Sequence, residues 1–303
     1  MSNIDIENGY SLPIDLKKEV YSFREIKIIY GIYLFLLDHL LIWMPVFLIF
    51  FYAQTLWPLI PFAWLISIRS MRGLECLVHE ASHYNVLPYK AGNDFVGNFL
   101  AAIPVFSTVE HYRNSHSRHH AAFGTDNDPD KPRHEKLNLF ELDREHPIRF
   151  FVQVINRIPK YVPGWWKAIG TTWRITTISL FWHFVLVIIP VSILYDLQSA
   201  LQYWGITFFI PFFMFLPVLR LIGEAAEHDY SGKLSVAAGT FSNTGIWHKI
   251  VIHPHCDGYH TLHHLYAFIP HYSLPEVDRI IRLKDGENWL RYLRERKSVF
   301  EDA

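Results

Sequence analysis

Two long apolar tracts constrain this chain more than any other feature of its sequence. Residues 28–68 contain no lysine or arginine, and their only formal charge is Asp38. Residues 175–219 also lack lysine and arginine, and only Asp196 is charged. A helix of about 20 apolar residues crosses a hydrocarbon core, so each tract is long enough for two crossings. The sequence therefore predicts an integral membrane protein.

Each tract is interpreted as a helical hairpin whose short turn carries aromatic residues suited to a membrane interface. The expected fold is an all-α membrane protein with four transmembrane helices in two hairpins and a histidine-rich helical cap. Residues 1–303 are expected to form one domain of this kind. The expected spans are 28–48, 52–72, 175–195 and 202–222, and the expected cap comprises 73–174 and 223–303.

The basic residues predict the orientation of the chain in the membrane. All 28 lysines and arginines lie outside the two apolar tracts, and 14 of them lie between Arg69 and Arg174. Because basic residues accumulate in cytoplasmic segments, the cap and both termini are expected in the cytoplasm. The formal net charge is −1, so no basic excess indicates a nucleic-acid partner.

Histidine clusters occupy the polar segments that follow the hairpins. The pattern H-x-x-H-H occurs at 116–120 and again at 260–264, about 140 residues later. On a helix, positions i, i+3 and i+4 share a face, so each copy directs three imidazoles to one point. His79 and His83 stand at i and i+4, and His228 follows Glu224 at the same spacing. These clusters together predict a site with more than one metal ion.

Residue types alone leave the metal and the reaction open. Residues 79–83 read H-E-x-x-H, the zinc protease signature, in which Glu80 would activate a water molecule. That interpretation needs one metal and leaves the other histidine clusters without a role, so it is the weaker alternative. A histidine-rich metal carrier would place its ligands along a transmembrane path instead of at one surface. Imidazole sites without thiolate suit zinc, copper, iron or nickel.

The boxes and their flanks together resemble the membrane fatty acid desaturase and hydroxylase family. The resemblance covers roughly residues 30–285 and rests on H-x-x-x-H followed by two copies of H-x-x-H-H. Family-like flanks follow the three boxes, at Tyr84-Asn85, in 124–129 (GTDNDP) and in 269–275 (IPHYSLP). Ala267 departs from the pattern, since many relatives have proline there, and the sequence contains no haem-binding H-P-G-G segment.

The resemblance implies a non-haem site with two irons that uses O2 to desaturate an aliphatic chain, with a fatty acyl chain as the leading substrate. A hydroxylase or ketolase of a lipid, a carotenoid or a smaller substrate is the alternative on the same site. Electrons would come from a separate ferredoxin, or from a cytochrome b5-like donor with its reductase. Glu224 and His111 are expected near the metals, Glu224 through a water molecule. The implied iron ligands are His79, His83, His116, His119, His120, His228, His260, His263 and His264.

Overall fold

The computed structural model describes residues 10–231 and 235–301, and the chain is mostly helical (76%). Two short parallel strands, β1 (Ser242–Asn243) and β2 (Glu295–Arg296), join the C-terminal segment to the rest of the cap. The two termini, whose location was predicted above, lie outside the described residues at 1–9 and 302–303. The helices are α1 (Ile14–Ser22), α2 (Ile28–Tyr52), α3 (Ile60–Ser82), α4 (Lys90–Gly97), α5 (Val109–Ala122), α6 (Lys131–Leu137), α7 (Pro147–Ala168), α8 (Trp173–Leu194), α9 (Leu197–Glu227), α10 (Val236–Gly239), α11 (His260–Leu265) and α12 (Leu274–Tyr292).

Within the described residues, three helices are long and apolar enough to cross a membrane: α2, α8 and α9. Their outward faces carry exposed apolar side chains, such as Leu36 on α2 and Phe181 on α8. Such a surface is unfavourable in water and suits the interior of a bilayer. The prediction of a helical membrane protein is therefore supported.

The second expected span, at 52–72, has the wrong boundaries. Helix α2 continues to Tyr52, and the turn that follows is a 3₁₀ segment at Gln54–Leu59, so α3 begins only at Ile60. Helix α3 then continues ten residues past Arg72 and carries ionisable groups in its second half. These charges keep α3 out of the group of clearly apolar helices, so a fourth span stays a prediction.

One charged side chain lies inside the apolar helix α2 and is fully compensated. Asp38 is completely buried, with Arg69 Nη1 of α3 at 2.8 Å and His255 Nε2 at 2.6 Å from its carboxylate oxygens. Gly73 of α3 leaves the room for this carboxylate, since a Cβ there would come within 2.3 Å of Asp38 Oδ2. An ionisable group in a membrane helix is costly unless it is paired. The contact between Asp38 and His255 also joins α2 to the loop that precedes α11.

The cap is assembled on the ends of α3 and α9. Thr108 caps α5 by accepting a hydrogen bond from the backbone N–H of His111, and α5 ends at Ala122 before the positive-φ residue Gly124. The segment that follows is rich in turn residues, and α6 begins only at Lys131. Helices α3, α5, α9 and α11 consequently bring their histidine-bearing ends to one place.

Candidate metal centre

Four segments supply the histidines of the site. His79 lies in the last turn of α3, and His83 is the residue directly after that helix. His228 directly follows α9, while the two H-x-x-H-H boxes lie on α5 and α11. The helical spacing turns three imidazoles of each box to the same side, as the sequence predicts. All nine predicted histidines meet in two adjoining clusters.

The first group, called the five-histidine cluster, contains His79, His83, His116, His120 and His263. The Nε2 atom of His79 lies 2.7 Å from that of His116 and 2.8 Å from that of His263. His120 Nε2 lies 2.9 Å from His116 Nε2 and 3.0 Å from His263 Nε2. The ring nitrogens thus converge on one point inside the protein.

The second group, called the four-histidine cluster, contains His119, His228, His260 and His264. Its Nε2 atoms lie at similar distances, with His228 at 2.8 Å from His260 and 3.1 Å from His264. His119 Nε2 is 3.2 Å from His228 Nε2 and 3.3 Å from His264 Nε2. Neighbouring residues of α5 and of α11 therefore serve different clusters, so the two clusters lie side by side.

The residues present fit two metal ions. Imidazole–metal bonds of about 2.0–2.1 Å place adjacent ligand nitrogens about 3 Å apart, which is the spacing in both clusters. His83 Nε2 is buried, belongs to the five-histidine cluster and has no hydrogen-bond partner within the part of the chain that the structure describes. An orphaned buried nitrogen of this kind is otherwise costly, and a metal ion would satisfy it.

The electrostatics of the site favour neutral imidazoles with free lone pairs. Burial and the neighbouring imidazoles lower the pKa of His116 and His263 well below the usual value. The same two causes lower the pKa of His120 to about 2, and burial is the main cause that lowers the pKa of His260 to about 4. Histidine binds metal in its neutral form, so this environment is suited to cations rather than to protons.

Outer hydrogen bonds hold the five-histidine cluster. Asp257 Oδ1 lies 3.0 Å from His79 Nδ1, and its Oδ2 accepts a hydrogen bond from Arg72 at 2.8 Å. His271 Nε2 lies 3.0 Å from His263 Nδ1, and the backbone N–H of His271 donates to Glu80 at 2.9 Å. Such partners fix the tautomer and the orientation of a ligand ring.

The four-histidine cluster has fewer outer partners. Asp128 Oδ1 lies 2.9 Å from His119 Nδ1, and Tyr230 donates a hydrogen bond to the other oxygen of this carboxylate at 3.0 Å. Burial acts against protonation of His119, but the hydrogen bond that its Nδ1–H donates to Asp128 raises the pKa of His119 overall. Among the described residues, Nδ1 of His260 and Nδ1 of His264 are buried without a hydrogen-bond partner.

A small polar chamber of about 50 Å³ adjoins both clusters. His79, His228 and Glu224 are among the residues that line it. The Glu224 carboxylate accepts hydrogen bonds from Tyr161 at 2.9 Å and Arg133 at 3.1 Å, and it pairs with Arg220 at 3.2 Å. Glu224 thus lies at the site as the sequence indicates, but buried cations and a phenol already engage its oxygens. A water-mediated contact with a metal stays a prediction.

The structure does not bring His111 to the clusters. This side chain is exposed, and its ring packs over Gly170, where a Cβ would come within 2.2 Å of the ring. His111 precedes His116 by five residues, which rotates it about 140° around the helix and away from the ligand face. A role next to the metals is therefore not supported by its position.

Sequence reasoning missed two residues that contact ligands, Asp257 and His271. His271 is buried and lies outside the three histidine boxes. Asp257 follows two non-glycine residues with positive φ, His255 and Cys256. Its carboxylate contacts His79 and Arg72 of α3. The only sequence signal was the position of each within a few residues of the third box.

The zinc protease interpretation is not favoured by the surroundings of Glu80. Its carboxylate accepts hydrogen bonds from the backbone N–H of His271 and from Asn85, and His271 Nε2 lies 3.2 Å from it. A general base must be within reach of a metal-bound water, but this carboxylate is engaged by the loop after the third box. Glu80 therefore orients His271 in this chain.

Comparisons with known proteins agree with this geometry. The chain is similar to the sn-1 acyl-lipid omega-3 desaturase (ferredoxin) of Nostoc sp. (strain 36), with 25% identity over 76% of this chain and 69% of the relative. It is also similar to the chloroplastic omega-6 fatty acid desaturase of Arabidopsis thaliana, with 28% identity over 35% of this chain and 22% of that relative. The family model for fatty acid desaturase matches residues 55–296, which include all nine clustered histidines. The chain therefore belongs to the fatty acid desaturase family.

Proposed function

We propose that this protein is an O2-dependent membrane oxidoreductase that uses two irons to desaturate a fatty acyl or similar aliphatic chain. In the balanced reaction, one O2, two electrons and two protons combine with two hydrogens of a –CH2–CH2– unit, giving a double bond and two waters. The observation that carries this proposal is the convergence of nine buried or half-buried imidazoles in clusters of five and four at one end of the helices.

The chain's own residues would hold and shield the metals. The five-histidine cluster would bind one iron and the four-histidine cluster the other, and bound iron would supply O2 reduction and C–H cleavage. Asp257 and His271 orient His79 and His263 through their Nδ1 atoms, and Asp128 orients His119. Because most of these groups are buried, bulk water has little access to the reacting atoms.

The membrane placement that we propose follows the sequence. Helix α3 would be a fourth span, and the cap with both termini would lie on the cytoplasmic side. Electrons would come from a separate protein, of ferredoxin or cytochrome b5 type. The family membership and the ferredoxin in the name of the Nostoc relative support a separate donor.

Two measurements test the proposal together. The protein is expressed in a host that lacks polyunsaturated lipids, its metal content is determined after purification, and the host lipids are analysed by mass spectrometry. We expect two irons per chain and new acyl species that are lighter by two hydrogens. The variant H116A/H119A, which removes one ligand from each cluster, is the matched control. It should give neither two irons per chain nor the new acyl species. One zinc with unchanged lipids would overturn the proposal, and an added oxygen would replace desaturation by hydroxylation.

A further inference from the structure

Two side chains of opposite charge lie on the apolar side of the histidine clusters, within helices α3 and α9. Glu75 precedes His79 by about one helical turn, and Arg220 precedes His228 by about two. Both are more than nine-tenths buried, and Arg220 Nη1 lies 3.0 Å from Glu75 Oε2. An ionisable group inside the helix bundle of a membrane protein is costly, and by default it indicates a functional site.

The protein satisfies this ion pair only in part. Glu75 Oε1 and Arg220 Nε are buried, and neither has a hydrogen-bond partner among residues 10–231 and 235–301. Arg72 of α3 also faces Glu75, but its nearest approach to this carboxylate is 3.8 Å. The carboxylate oxygen is an acceptor and the guanidinium N–H is a donor. This pair is therefore complementary to a ligand group that offers one donor and one acceptor.

A small cavity of about 10 Å³ lies at this ion pair. Glu75, Arg220 and Tyr112 line it together with the apolar side chains of Val78 and Val105. Tyr112 and Arg220 also line the chamber of about 50 Å³ that adjoins both histidine clusters. The two cavities share these two residues in their walls, so a ligand that reached Glu75 would extend into the chamber beside the metal ligands.

The two cavities suit a small polar group better than the middle of a long acyl chain. A water molecule needs about 10–15 Å³, so the chamber and the small cavity together have room for about five water-sized groups. Charged side chains such as Arg72, Arg133 and Glu224 line the chamber. Methylene groups placed against them would exclude water from these charges and offer no partner in return. The polar end of a substrate fits this space.

We propose that Glu75 and Arg220 bind a polar group of the substrate that carries an N–H donor and an oxygen acceptor, as an amide or an α-amino acid does. That this ligand is the substrate rests on the proposed function, whereas the pocket itself rests on the ion pair and the two cavities. Glu75 Oε1 accepts a hydrogen bond from the ligand N–H, and Arg220 Nε donates one to the ligand oxygen. The carbons next to this polar group lie in the chamber, so the double bond forms close to the polar end of the chain.

The first experiment compares ligands of matched chain length and needs no turnover. Purified full-length protein in neutral detergent is titrated calorimetrically with decanamide, 2-aminodecanoic acid, methyl decanoate and decylamine. The first two ligands carry both an N–H donor and an oxygen acceptor, whereas the ester carries only the acceptor and the amine only the donor. We expect one of the first two to bind at least about tenfold more tightly than the ester and the amine, because each of these lacks one buried hydrogen bond to a charged side chain.

The variant E75Q tests the carboxylate itself. The matched control is E276Q, which removes a carboxylate from the exposed ion pair with Arg279 on α12. We expect E75Q to reduce the preference for the tightest ligand to within about threefold, and E276Q to retain the preference of wild type. Iron content and melting temperature show whether E75Q folds, and the wild-type series decides the question if it does not.

The outcomes separate the two kinds of ligand and the two proposals. Tighter binding of decanamide indicates an amide-bearing substrate, tighter binding of 2-aminodecanoic acid indicates an amino-acid substrate, and either result supports the pocket. Binding of methyl decanoate or decylamine as tightly as both of these would overturn it, as would an unchanged preference in folded E75Q. Selective binding by a protein without iron would support the pocket and reject the proposed function. Two irons and desaturated lipids without selective binding would do the reverse.

Discussion

The two histidine clusters have the same kind of ligands but different support. In the five-histidine cluster, His79 and His263 are each held at Nδ1 by a buried residue, Asp257 and His271. In the four-histidine cluster, Asp128 holds His119, while the described residues offer no Nδ1 partner to His260 or His264.

For the two-metal site proposed above, this difference predicts that the two positions are not equivalent. A ring that is held on its outer side loses little freedom on binding a metal, whereas a free ring must be ordered by the metal itself. We therefore expect the five-histidine cluster to bind its iron more tightly. In the four-histidine cluster, the partner of His119 is Asp128, which lies in the loop after α5 and accepts a hydrogen bond from Tyr230. The ligands of this cluster therefore depend more on that loop.

Removing one ligand from each cluster is the strongest test of the comparison. H264A leaves three imidazoles in its cluster and should lose that iron, giving about one iron per chain. H263A leaves four imidazoles in its cluster and should retain more than one iron per chain. Both variants should lose at least about 100-fold of desaturation, because both metals are required. Iron analysis and product mass spectrometry measure these results, and equal metal loss in the two variants would contradict the difference between the clusters.

The outer carboxylates are expected to have the next largest effect. D257N alters the partner of His79 and leaves the buried Arg72 with less compensation, whereas D128N alters the partner of His119 and of Tyr230 and leaves no buried arginine without this anion. Loss of an outer partner typically weakens metal binding about 10- to 100-fold. We expect D257N near the upper value and D128N near the lower, measured by competition with a chelator. D257N should also lower the melting temperature, because a buried arginine loses an anion.

Chelation of the unmodified protein should show the asymmetry directly. The iron of the four-histidine cluster is expected to leave at least about tenfold faster than the iron of the five-histidine cluster, because fewer outer hydrogen bonds hold its ligands. Stopped-flow absorbance with a coloured iron chelator would resolve two phases. In D128N the fast phase should accelerate and the slow phase should stay unchanged. A single phase for both irons would show that the outer hydrogen bonds do not distinguish the two positions.

The smallest effect is expected at His111, on the same helix as three ligands. H111A removes an exposed ring on the far side of α5, so activity and iron content should stay within about twofold of wild type. H116A, five residues later, is the matched comparison and should abolish activity. A large loss of iron in H111A would contradict the position of His111 on a different face of α5 from the three ligands.

Much of the site could be predicted because helical periodicity is a local property. The spacing of His116, His119 and His120 determines that their rings share a face, whatever the rest of the fold. The apolar tracts were equally informative, since a bilayer imposes its thickness on any helix that crosses it. The division of neighbours such as His119 and His120 between two clusters could not be read from spacing, because it depends on the position of α11.

The end of the first hairpin shows where sequence reasoning failed. An apolar tract does not record where its turn lies, so the second span was expected to begin at Tyr52, eight residues before α3 begins at Ile60. The same is true of Asp38, whose partners Arg69 and His255 are 31 and 217 residues away in sequence. Pairings at such separations follow from packing and carry no local signature.

The sequence by itself determined the membrane character, the helical class and the nine imidazoles, because these follow from composition and from the period of the helix. Only the tertiary structure decided that five of the rings meet in one cluster and four in another. It also decided that Asp257 and His271 contact two of them at their Nδ1 atoms. The physical reason is that hydrogen bonds and charges act through space, between segments that the chain brings together only when it folds.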